Sequence, residues 1–134
     1  MTDQVLLTNL RLFTGVDEEV IPDGAVWVEG NILRYAGPTV DLPEVPDHVR
    51  RVDAGGQFVM PGMTESHAHL SYANDLPTAI GTKSMQDIVL HSVDNARLTL
   101  GAGFTSAISF GSVHRVDVTL RDAINHRFIG NRDL

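Results

Sequence analysis

Two histidines placed two positions apart, His67 and His69, are the residues of this chain best suited to chemistry. In an extended strand successive side chains point to opposite faces, so residues i and i+2 project the same way and two such imidazoles can meet one cation. A neutral imidazole binds a divalent ion at about 2.0 to 2.1 Å and leaves most of its charge available to polarise a carbonyl or activate a water. Two ligands are half of such a site. With no cysteine in the sequence, disulfides and thiolate ligands are excluded, and His, Asp, Glu and water remain as the metal chemistry at hand.

The flanking residues sharpen this reading. From Val52 the chain runs VDAGGQFVMPGMTESHAHL, with Asp53, Gly56, Pro61, Gly62, Glu65, His67 and His69 in a definite order and spacing. This run resembles the strand-1 signature of the amidohydrolase superfamily, metal-dependent hydrolases in which a small β-sandwich leads into a (β/α)8 barrel whose first strand supplies a His-x-His pair. The Gly103-x-Thr105 start of a later apolar run resembles the same superfamily. The resemblance implies one or two divalent metal ions, most commonly zinc, with His67 and His69 among the ligands. It also implies further ligands from a lysine or histidines on the middle strands and an aspartate on the last strand that acts as general base, all expected after Leu134. The implied reaction is attack of metal-activated water on a C–N bond of a small-molecule substrate: an amide, cyclic amide, carbamate or urea. A deaminase of the same superfamily is an alternative, and so is a non-catalytic assembly homologue, although retention of both histidines argues against the latter.

Other polar residues near this motif have competing roles. Glu65 shares strand parity with both histidines, one layer deeper, where the superfamily usually carries Asp. It is expected to orient a ligating histidine by a hydrogen bond, with a weak ligand or a buried acid paired elsewhere as the other readings. Ser71, Tyr72 and Asn74 follow the first barrel strand, and Ser109, Ser112 and His114 lie at or after the end of the second. Both groups therefore fall on the face where barrel enzymes carry their sites. Tyr72 and His114 are the substrate-contact candidates among them. His91 and His126 are read as structural, His48 in the proline-containing loop is given no function, and Gly55-Gly56 is read as a tight turn, because no Gly-rich strand-to-helix fingerprint surrounds it.

Positioning these groups requires a particular set of elements. Gln4 to Phe13 reads as a strand with Leu6, Leu10 and Leu12 on one face, and Ala25 to Glu29 and Ile32 to Ala36 read as a hairpin about Gly30-Asn31. Gly37 to His48, with three prolines, reads as a loop that neither pairs nor buries itself; Val52 and Phe58 to Met60 read as short strands. After Pro77 the pattern changes. Ser84 and Asp87 form a capping box before a helical run ending at Gly101, Gly103 to Ser109 is a short apolar strand, and Val116, Leu120, Ala123 and Ile124 recur at helical spacing. The expected fold class is α/β: part of a β-sandwich over residues 1–58, then the first β/α units of a (β/α)8 barrel over 59–134, incomplete within this chain.

Length and composition bound the rest. A (β/α)8 barrel usually needs about 250 residues, so 134 residues are too few, and the segment by itself is expected to be inactive without the remainder of its own chain or a complementary fragment. Seventeen acidic against ten basic residues give a net charge of −7, which argues against nucleic acid as a partner. No apolar run approaches the ~18 residues of a membrane span, and the start lacks a basic region followed by a long apolar one, so no membrane partner and a cytoplasmic location are expected. The sequence leaves room for a homo-oligomer.

Overall fold

The computed structural model describes residues 3–72 and 83–126, and it is mixed α/β with the element order of five strands, a helix, a sixth strand and a second helix. Asn74 and the Pro77 boundary lie outside the described residues. The chain divides into two compact units, Met1–Pro61 and Gly62–Leu134.

The first unit is a four-stranded sheet in the order β3-β2-β1-β4, built from β1 (Gln4–Phe13), β2 (Val20–Glu29), β3 (Ile32–Pro38) and β4 (Arg50–Val59). The expected hairpin is present: β2 and β3 are antiparallel and joined at Gly30-Asn31. Three expectations need correction. Leu6, Leu10 and Leu12 do not share a face. Leu6 packs with Ala25 and Val49, whereas Leu10 and Leu12 pack with Val26. Ala25 and Val26 are neighbours in one strand and so lie on opposite faces. The switch comes from a bulge in β1, where pairing shifts between Leu7 and Leu10 and Asn9 takes a left-handed φ of 54°.

The same bulge explains the second correction. Gly55-Gly56 is no turn between short strands but an irregularity inside the continuous β4, which runs parallel to β1 and shifts register between the Thr8 and Leu10 pairings. Both glycines have positive φ, and Asp53 ties the two bulges together, accepting from the Asn9 amide at 2.7 Å and from the Gly55 N–H at 2.8 Å. These bonds hold the Asp53 carboxyl below its ordinary pKa, the Gly55 N–H having the larger effect. Third, the proline-rich segment does pair and bury in part. β3 continues through Gly37 and Pro38 along β2, and Leu42 and Val45 pack against the Leu6 cluster.

The second unit carries β5 (Met63–Ala68), α1 (Met85–Gly101), β6 (Phe104–Ser109) and α2 (Val116–Asn125). β5 and β6 pair in parallel, which requires the helical crossover that α1 provides. Gly62 permits the close approach of the two strands: a Cβ there would sit 2.2 Å from the Thr105 side chain. α1 starts at the expected capping box, in which the Ser84 hydroxyl accepts from the Asp87 N–H and the Asp87 carboxylate accepts from the Ser84 N–H. Ile88 and Ser92 form its buried stripe, and Val116 and Leu120 that of α2. Among the described residues no helix is long and apolar enough to cross a membrane.

Candidate functional site

The site is built at the C-terminal end of β5. His67 lies in the strand and His69 one residue past it, and the i, i+2 spacing does bring the two rings together: their Nε2 atoms are 3.2 Å apart. The ring centroids are 5.0 Å apart and the planes 65° to one another. Two ligands of a tetrahedral ion with bonds of about 2.0 to 2.1 Å are separated by roughly 3.3 Å, so both nitrogens could hold one ion with little adjustment.

Each ring is fixed from outside. His69 Nδ1 lies 3.1 Å from the Gly111 carbonyl oxygen. A carbonyl only accepts, so Nδ1 carries the proton and the Nε2 lone pair is left for a ligand. His69 also stacks on Tyr72, with centroids 4.8 Å apart and planes 15° apart. On the other side His67 stacks on Phe110 at 4.3 Å and 8°. Main-chain bonds hold these partners in place, since the Phe110 N–H donates to Ala68 O at 3.0 Å and the Tyr72 N–H to His69 O at 2.9 Å. From α1 the Asn95 amide donates to Leu70 O and Tyr72 O at 2.9 and 2.8 Å, tying down the chain just beyond the pair.

The remaining candidates are placed as follows. The Glu65 carboxylate accepts from the His67 main-chain N–H at 3.0 Å, so its contact is with the backbone of a candidate ligand rather than with an imidazole nitrogen. Tyr72 joins the site through its stack on His69. His114 is exposed in the loop between β6 and α2, where it and Arg115 are consecutive left-handed residues with φ of 51° and 60°. Ser71 is buried and Ser112 half-buried, both bonded within this loop region. Ser109 donates to Asp117 Oδ2 at 2.6 Å, the main reason that carboxyl is held below its ordinary pKa. His91 lies 3.2 Å from Lys83 Nζ, and His126 Nδ1 2.7 Å from Asp122 O. Among the described residues no three His, Asp or Glu side chains come together.

Phe110, Gly111 and Asn95 were not singled out by sequence reasoning. The signal available was weak: Phe110 follows the last residue of β6 directly, and Asn95 lies one turn beyond His91 on the helix.

No protein-family model matches the sequence. Over 72 residues the chain is 39% identical to an imidazolonepropionase of Arthrobacter sp. and to another of Micrococcus luteus, a stretch that takes in 52% of this chain and 17% of each relative. The matched part of the chain thus spans about a sixth of the length of these relatives. Among solved structures, a Xaa-Pro dipeptidase superposes over 92% of this chain and 30% of its own, with a TM-score of 0.76 and 22% identity. A protein described as an amidohydrolase gives a TM-score of 0.75 at 21% identity, covering 92% and 28%. Phenylurea hydrolase B gives 0.74 at 24%, covering 96% and 29%. At such identities the likeness is one of fold.

Proposed function

We propose that this chain, as a member of the amidohydrolase superfamily, contributes one edge of the active site of a metal-dependent hydrolase that cleaves a C–N bond in a small molecule. In this reading residues 1–58 are part of a β-sandwich and residues 59–134 the first β/α units of a (β/α)8 barrel, working in the cytoplasm with the remainder of the chain. The imidazolonepropionase relatives favour a C–N bond such as that of a cyclic amide as the bond cleaved.

The observation that carries the reading is the His67–His69 pair, with Nε2 atoms 3.2 Å apart and the His69 proton committed to the Gly111 carbonyl. The donor set suits a divalent ion, zinc foremost, because both ligands are neutral nitrogens on one strand end. Such an ion, when bound, supplies Lewis acidity and a water acidified to near-neutral pKa. The chain's own residues do the positioning. Gly111 and Tyr72 fix the His69 ring, Phe110 fixes that of His67, and Glu65 stiffens the strand by capturing the His67 N–H. Tyr72, stacked on His69, and His114, exposed in the β6–α2 loop, are left to contact substrate.

The test is turnover by the complete protein on a panel of cyclic amides, ureas and carbamates, before and after chelation and zinc return. Activity is expected to vanish on chelation and return with zinc, and to be lost in His67→Ala and His69→Ala while the circular-dichroism spectrum is kept. Chelator-resistant hydrolysis, or near-normal rates in either variant, would refute the assignment.

A further inference from the structure

We infer that Ser71 is a positioning residue for the histidine pair, acting through the β6–α2 loop. Its side chain is only 6% exposed, and its Oγ accepts the Val113 N–H at 3.1 Å. This bond joins the segment just after β5 to the loop that contains Phe110 and Gly111, the two residues in contact with His67 and His69.

The loop has a second anchor on its other side. Ser112 Oγ accepts the Asp117 N–H at 3.0 Å, and the Asp117 carboxylate accepts from Ser109 Oγ at 2.6 Å, so both ends of the 110–115 segment are held by short polar bonds. Between the anchors His114 and Arg115 adopt left-handed backbone, a conformation that non-glycine residues keep only where surrounding contacts impose it. Gly111 itself has φ of 143°, and a Cβ there would lie 3.7 Å from the His69 ring. A loop with these torsions would relax if an anchor were lost, and the carbonyl that fixes the His69 tautomer would move with it. In the metal-free protein His69 is then Nδ1–H, and the 3.2 Å contact between the rings makes His67 Nε2–H the donor to His69 Nε2. Ser71 decides, at one remove, which nitrogen of His69 is free to bind.

The consequence for metal affinity rests on the proposed ligand role, whereas the tautomer does not, and the two are measured separately. Long-range 1H–15N spectra of the metal-free complete protein, recorded about two pH units above the usual imidazole range, report the tautomer. His69 is expected as Nδ1–H in the parent, as a mixture of both tautomers in Ser71→Ala, and as Nδ1–H again in Ser71→Thr, which restores the hydroxyl. Ser112→Ala gives a second route to the same loosening if Ser71→Ala does not fold. Zinc affinity by competition with a chromophoric chelator should fall about 10- to 100-fold in Ser71→Ala, as when a partner that orients a ligand is lost. An Nε2–H tautomer for His69 in the parent, or an unchanged Nδ1–H tautomer in both alanine variants, overturns the inference. A tautomer that shifts as expected in a protein that binds no zinc would uphold the role of Ser71 and defeat the metal reading alone.

Discussion

His69 differs from an ordinary strand histidine because three groups define its ring: a carbonyl at Nδ1, a phenol face, and a second imidazole at Nε2. Spacing alone foretold that His67 and His69 would meet, since parity along a strand is a local property. Two of the partners that orient them are not legible, because Gly111 reaches His69 from 42 positions away and Phe110 reaches His67 from the far end of the paired strand β6. Asp117 gives a prediction at this scale. Its carboxyl is held below the ordinary value mainly by Ser109, so its contribution is fully present above the pKa it would have in the unfolded chain. Between that value and the lower native one the unfolded state binds more protons, and the contribution is lost as pH falls through the window. Thermal melts across acidic pH should therefore show Asp117→Asn less stable than the parent at neutral pH, with the gap closing on acidification. A gap that is constant with pH would mean that the charge does not anchor the loop.

Among the elements, those written in local sequence are readable and the bulges set by contacts across strands are not. The Ser84–Asp87 box, the stop near Gly101 and the Gly30-Asn31 hairpin are short-range signals, and each element begins or ends where they place it. Strict alternation through β1 gives no sign of the bulge at Asn9, whose side chain bonds to Asp53, a residue 44 positions on. Gly55-Gly56 leaves turn and bulge open, because positive φ suits both. The bulge makes its own prediction. Leu6 and Leu10 sit in separate clusters at 0% and 1% exposure. Leu6→Ala and Leu10→Ala should each cost about 2 to 5 kcal/mol, and the double variant should be additive within about 0.5 kcal/mol in urea denaturation. A larger coupling would place both leucines in one core and contradict the switch of faces.

For the molecule as a whole, the two units differ in the size of their sheets. Among the described residues the first has four paired strands with a core on each face, and the second has a two-stranded parallel sheet, a motif that rarely stands without further strands beside it. Ile108, Phe110 and Leu98 are correspondingly exposed on the second unit. The matched stretch takes in 17% of the imidazolonepropionase relatives and the fold likeness about 30% of the Xaa-Pro dipeptidase, and among the described residues no three His, Asp or Glu side chains come together. Zinc titration of the complete protein against a competing chelator, in the parent, His67→Ala, His69→Ala and a His91→Ala control, tests the central claim most directly. The account predicts that His91→Ala binds as the parent does while either of the other variants loses at least tenfold in affinity. Equal binding by all four proteins would contradict it.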